Sequence, residues 1–150
     1  MITIREATPE EIEHIALFQL KLAWETESVK LDYPTVLSGV KAVFDDRAKG
    51  VYYIAENDNR PVASALTVTE WSDWRNGDVV WIHSVYVIEQ FRRQGIFSSL
   101  YKHIKENVIS KDELKGIRLY VDRTNQKAQK VYESLQMNGD HYKLFEWMKE

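Results

Sequence analysis

Phe91-Arg92-Arg93-Gln94-Gly95-Ile96-Phe97-Ser98 joins two segments of opposite periodicity. Before it, residues 79–87 are mostly β-formers and read as a central strand. After it, residues 98–109 place Leu100, Tyr101, Ile104 and Val108 on one helical face. A helix entered in this way has free backbone amides and a partial positive charge at its start, which suits phosphate. Gly95 permits a backbone conformation or a close approach that a side chain would block. Arg92 and Arg93 add fixed positive charge, so a pyrophosphate is the natural guest. Strand, glycine loop and helix is also a common structural join, and basic residues before a helix are often simply solvated; the segment alone leaves both readings open.

Working outward, residues 2–5 alternate apolar and polar as a short half-buried strand does. Thr8, Pro9 and Glu11 then supply a cap, a first-turn proline and the second half of a capping box, predicting a helix to about residue 27. A break at 29–34 precedes a second predicted helix over 35–49, with Gly50 placed to end it. Residues 51–55 and 61–69 are strand-like, and Asn57-Asp58-Asn59-Arg60 between them predicts a hairpin. Asn76-Gly77 marks another turn. Past residue 109, a fifth strand is expected over 117–121, a last helix over 125–135 and a closing strand over 142–148. The order predicts one mixed α/β domain over residues 1–150, with an early helical pair.

Composition narrows the function. The chain has 150 residues, of which 44% are hydrophobic, 12% aromatic and 29% charged. That is the size of one domain able to bury a core without staples. Lys and Arg number 20 against 23 Asp and Glu, a formal net charge of −3. Such a balance argues against a general nucleic-acid binder, which carries a basic excess. With no cysteine there is no disulfide, thiolate metal site or cysteine nucleophile. No apolar run approaches the ~20 residues of a membrane span and no signal peptide is visible, so a cytoplasmic location away from membranes is the expectation. His14, His103 and His141 have no partner at metal-ligand spacing, and no metal is expected.

The loop resembles the acetyl-CoA signature of the GCN5-related N-acetyltransferases, Gln/Arg-x-x-Gly-x-Gly/Ala, in its Arg92-x-x-Gly95-x-Phe97. In that superfamily the signature ends the fourth strand and starts the third helix. The superfamily's next pattern, an asparagine opening a helix followed by alanine and tyrosine, is similar to Asn125-Gln126-Lys127-Ala128-Gln129-Lys130-Val131-Tyr132. The resemblance runs over nearly the whole chain. It departs at Phe97, which replaces a small residue, and at Gln136-Met137, where many members have Gly-Phe. It implies the acyl-CoA N-acyltransferase fold, a central mixed but mostly antiparallel sheet flanked by about four helices.

What the resemblance implies chemically is acetyl transfer from acetyl-CoA, with CoA as product, to an amine on a small molecule, an amino terminus or a lysine. No group sits in a nucleophile elbow, so direct transfer in a ternary complex is expected. The family's cofactor contacts fall on Val85, Tyr86, Val87, Arg92, Arg93, Gln94, Gly95, Ile96, Phe97, Ser98 and Asn125. Its oxyanion donor is a backbone N–H of the fourth strand, here at 85–87, and its acid tyrosine matches Tyr132. For the base, His83 aligns with the second histidine of the arylalkylamine acetyltransferases; their first falls on Trp81. Strand alternation places residues 81, 83, 85 and 87 on one face. A cationic acceptor would suit the acidic and aromatic Trp24, Glu25, Glu27 and Tyr33. Homodimers are common in the family.

Each assignment has a plainer alternative. His83 also reads as a structural histidine beside a tryptophan, Tyr132 as helix packing, and Asn125 as an N-cap. Trp71 and Trp74 near a hairpin turn read as a dimer contact, a substrate wall or indoles folded onto the sheet. A non-catalytic CoA-binding or regulatory module with the same cradle is the alternative function.

Overall fold

The protein was described from a computed structural model, which defines residues 1–149. The chain divides into two compact units, Met1–Tyr120 and a second from Val121 onward. The first holds a five-stranded sheet of β1 (Ile2–Glu6), β2 (Val51–Asn57), β3 (Arg60–Ser72), β4 (Gly77–Val87) and β5 (Leu114–Leu119), ordered as in the chain. Neighbours from β1 to β4 run antiparallel, and β4 pairs with β5 in parallel. The expected mixed, mostly antiparallel sheet is therefore present. Asp58 and Asn59 form the two-residue β2–β3 turn with φ of 49° and 65°, left-handed values that Asp and Asn tolerate.

Helices α1 (Ile12–Glu27) and α2 (Tyr33–Asp45) cover one face of the sheet. Ile15, Ala16 and Val40 pack there on Tyr52 and Ile54 of β2. The alternate β2 residues look the other way, where Tyr53 meets His103 of α3 (Ile96–Ser110) edge-on, ring centroids 5.6 Å apart. Helix α1 is entered through a 3₁₀ turn, Pro9–Glu11, and ends at Ser28, whose φ of 55° lets the Ser28 and Val29 N–H groups bond back to Trp24 and Ala23. The second helix is shorter than the pattern predicts: Asp46 accepts from Ala48 N–H and starts a separate turn, Arg47–Lys49. Gly50 follows because a Cβ there would lie 2.7 Å from the Thr67 carbonyl.

The second unit contains one helix, α4 (Gln126–Ser134), among its described residues. The closing strand expected over 142–148 does not form. Those residues carry no regular structure, and Tyr142, Phe145 and Trp147 are 76–89% exposed. Strand composition alone does not fix pairing, which needs a neighbouring edge in register. Among the described residues no helix is long and apolar enough to cross a membrane.

Candidate active site

The site is built on a flaw in β4. Ser64 of β3 lies opposite Tyr86, yet Leu66 lies opposite His83, so β4 spends one extra residue across Ala65. Ser84 absorbs it with φ of 53°. This bulge corrects the simple alternation expected for β4. Trp81 and His83 share the α1/α2 face with Tyr86, not with Val85 and Val87; Val87 faces the α3 side with Ile82. A second irregularity lies on the other edge of β4. Its pairing with β5 ends at Ile82 opposite Leu119, while β4 runs on to Val87. From residue 83 onward the two strands fork, and among the described residues the main-chain groups of 83–87 on that side are not used by the sheet.

The fork leads directly into the glycine loop. A 3₁₀ turn, Glu89–Phe91, is held by Ile88 N–H to Val62 O, and Gln94 donates to Gln90 O at 3.0 Å. Arg93 and Gly95 both take left-handed φ, 62° and 76°. Gly95 is the N-cap of α3 and offers its amides no side-chain acceptor; the first helical bond runs from Ser99 N–H to Gly95 O. A Cβ at Gly95 would meet nothing within 4 Å, so the space before these amides is open. Ile96 is buried and anchors the helix start, and the N–H groups of Ile96 and Ser98 in that first turn are the kind of donor an anion needs. The Phe97 ring stacks along the helix on Tyr101, centroids 6.3 Å apart, one turn from Gly95.

Arg92 is committed elsewhere. Its Nε donates to Val87 O at 2.8 Å and a terminal nitrogen to Glu25 Oε1 at 2.6 Å, while its guanidinium lies over the Tyr86 ring. Tyr86 donates its hydroxyl to the other Glu25 oxygen, also at 2.6 Å. Those bonds from Tyr86 and Arg92 hold the Glu25 carboxyl below its ordinary range. Burial first, then the Glu25 contact, pushes the Tyr86 hydroxyl up to about 12. Glu25 thus ties the end of α1 to the bulged strand and the loop, while Arg93, exposed like Arg92, lies beside it in the same loop. Sequence reasoning gave Glu25 only a pocket-lining part, because its partners lie 61 and 67 residues away.

His83 stacks parallel to Trp81 with centroids 6.0 Å apart, and Tyr120, just past β5, closes the cluster at 5.3 Å from His83 and 4.9 Å from Trp81. Half-burial holds the imidazole pKa below its ordinary 6.5, so it is neutral at pH 7. Tyr120 carried no sequence signal; the parallel register brings it beside Trp81 and His83. Of the residues expected near an acceptor, Trp24 and Glu27 are exposed, whereas Tyr33 packs against the α1/α2 core. Trp71 and Trp74 are 62% and 86% exposed, so neither indole folds onto the sheet.

In the second unit Asn125 caps α4, its side chain accepting from Ala128 N–H at 3.1 Å. Asp122 orders the approach by accepting from both the amide and hydroxyl of Thr124. Tyr132 lies two turns along, its hydroxyl pKa raised by burial. The helix closes with Gln136 at φ 66° and Met137 N–H bonded to Tyr132 O, the turn that glycine makes without strain.

Residues 10–137 match the Acetyltransferase (GNAT) family. Among solved structures the chain is similar to a possible acetyltransferase from Clostridium difficile 630, at 41% identity, covering 100% of this chain and 99% of that one with a TM-score of 0.92. It shares the fold of AAC(6')-Iy in complex with a CoA-containing bisubstrate analogue, at 16% identity, TM-score 0.79 and 99% coverage of both chains. A curated relative, N-alpha-acetyltransferase 60 of Xenopus tropicalis, is 36% identical over 66 residues, 43% of this chain. That stretch spans only 27% of the relative's length. The forked strand, the uncapped helix behind a left-handed glycine and the match across 10–137 carry one conclusion: this chain belongs to the GNAT acetyltransferase family.

Proposed function

We propose that the protein is an N-acetyltransferase that moves the acetyl group of acetyl-CoA to a primary amine in one ternary complex. The observation that carries this is the uncapped start of α3, with open space before Gly95, at the end of the fork between β4 and β5. The residues present fit the cofactor. The Ile96 and Ser98 amides and Arg93 would receive the pyrophosphate, and the unpaired edge of β4 would receive an extended chain as a further strand does. Acetyl-CoA supplies an activated acyl carbon and a thiol leaving group.

The protein's own groups have three tasks. An alkylammonium titrates near ~10.4 and is unreactive at pH 7, so a base must take its proton. Neutral His83 on the α1/α2 face of β4 is suited to this. A backbone N–H within 85–87, just past the bulge, donates to the acetyl oxygen as charge gathers there. Tyr132 remains protonated at neutral pH, because its pKa is raised, and delivers a proton to the departing sulfur. Amine acceptors are also what two similar proteins are named for, one an aminoglycoside enzyme and one an N-alpha-acetyltransferase. We assign the acceptor here to the same class: a small-molecule, amino-terminal or lysyl amine.

Thermal unfolding with and without acetyl-CoA, with NADH as the nucleotide control, tests the cradle. Ligand at ~100 times its Kd stabilises by about 2.7 kcal/mol, a rise of roughly 5 to 11 °C for this size. No rise at millimolar acetyl-CoA overturns the assignment. A rise without amine-dependent CoA release across an amine panel would instead identify a CoA-binding module without turnover.

A further inference from the structure

Three rings stand together at the fork between β4 and β5. Trp81 and His83 share one face of β4, and Tyr120, just past β5, meets both. The three centroids form a triangle with sides of 4.9, 5.3 and 6.0 Å. A cation about 4.5 Å above its middle would lie within ~6 Å of every centroid, the reach of a cation–π contact. Tyr120 is 51% exposed and the other two rings are half-buried, so the group is open to a ligand.

Carboxylates that could serve a cation at this face are already committed. Glu25 gives one oxygen to Tyr86 and the other to Arg92. Val68 of β3 lies opposite Trp81, which puts Glu70, two residues on, on the same face. Its carboxylate is paired with Arg118, the register neighbour of Trp81 on β5. Half-burial keeps His83 neutral at pH 7, so the imidazole does not repel a cation. We infer that Trp81 and Tyr120, with the face of His83, form an aromatic cage that binds the acceptor as its alkylammonium before His83 takes the proton. The acceptor class is an unhindered alkylammonium, on a small alkylamine or a lysyl side chain, selected by ring faces instead of carboxylates. A polycation needs a carboxylate for each further charge, and the cage has none. This inference rests on the acetyltransferase reading for the fate of the amine, whereas binding of the cation is measured without turnover.

Choline and its neutral isostere 3,3-dimethylbutan-1-ol differ in charge and hardly in shape, and choline has no N–H to acetylate. Calorimetric titration of the full chain, run with CoA and without it, should show choline binding at least about fivefold more tightly in one condition or both. Tyr120→Leu should cut that preference below about twofold, and Tyr120→Phe, which keeps a ring face, should retain it. Trp81→Leu should act as Tyr120→Leu does; if it does not fold, the two variants at 120 decide. Equal affinities, no measurable choline binding, or a preference unchanged in folded Tyr120→Leu each overturn the cage. Competition against choline by butylamine and by an α-N-blocked lysine amide separates the two sources of the ammonium, and displacement by neither overturns the cage. A thermal shift with acetyl-CoA but no preference for choline removes the cage and leaves the acetyltransferase reading standing. A preference for choline without that shift leaves a cation site and removes the acetyltransferase reading.

Discussion

The starts of α1 and α3 are built on opposite plans. At α1 Thr8 and Glu11 close a capping box. The Glu11 carboxylate takes the Thr8 N–H at 2.7 Å, pairs with Arg5 and is only 8% exposed, while Arg5 also reaches Glu56. Asp32 serves α2 and Asn125 serves α4 in similar fashion. At α3 the capping position is a glycine with no side chain to give, and Arg92 of the preceding loop is turned away to Glu25 and Val87. A capped start stabilises the fold; an uncapped one leaves donors for a ligand. The difference teaches where binding can occur: in the helix whose start the protein leaves unsatisfied.

Giving α3 the cap it lacks should have the largest effect. Gly95→Asp sets a carboxylate before the open amides, and like-charge juxtaposition should weaken acetyl-CoA binding by about 10²-fold or more. Calorimetric titration measures it; unchanged affinity would place the phosphate elsewhere. Helix α4, already capped, should contribute a side chain instead of amides. Tyr132→Phe should lower kcat by about 10²-fold with little change in KM for acetyl-CoA, and a normal kcat would remove Tyr132 from the reaction.

For the base, the sign follows from the lowered His83 pKa. Activity should fall with acid only below 6.5, as the imidazole gains its proton. His83→Ala should remove that limb and cost about 10²-fold near pH 7. Its deficit should shrink toward pH 10, where the amine deprotonates itself; a deficit equal at all pH values would indicate packing.

Releasing Arg92 should matter less. Glu25→Gln weakens a partly exposed pair worth about 1 kcal/mol, so KM for acetyl-CoA should rise roughly fivefold with kcat within twofold. An equal loss in KM for the amine would point to an acceptor contact instead. At the α1 corner the ligand should notice nothing. Glu11→Gln should cost about 1–3 kcal/mol, roughly 2 to 12 °C in Tm, and leave KM unchanged. Burial pushes the Glu11 carboxyl up, but Arg5 and the Thr8 groups outweigh it and the net shift is downward. Its stabilising contribution is therefore full above the ordinary carboxyl pKa and lost as pH falls through the folded value. Melting across pH 3–7 should show the two proteins converging in acid.

Local chemistry was legible in the sequence, and long-range register was not. Asp58-Asn59 announces a hairpin because two adjacent residues tolerate left-handed φ, and the Asn125 cap was readable from its own helix. The α3 cradle was visible from Gly95 and the change of periodicity around it. The bulge was not, because Ser84 gives no sign of left-handed φ and the extra residue exists only relative to β3. The Glu25–Tyr86–Arg92 contact has the same character, joining three segments that no spacing rule relates. Residues 142–148 show the limit from the other side. Alternation says a segment can be a strand, but an edge to pair with is supplied by the rest of the structure.

The bulge at Ser84 also bears on how this gene can drift. With one extra residue, His83 and Tyr86 share a face; deleting that residue would turn Tyr86 to the α3 side, away from Glu25, and carry the entire glycine loop round with it. Replacements along β4 alter one contact at a time, whereas a single-codon deletion there rewrites every contact downstream. A change of length should be tolerated best where no register depends on it, such as the turn at 73–76 between the paired Ser72 and Gly77.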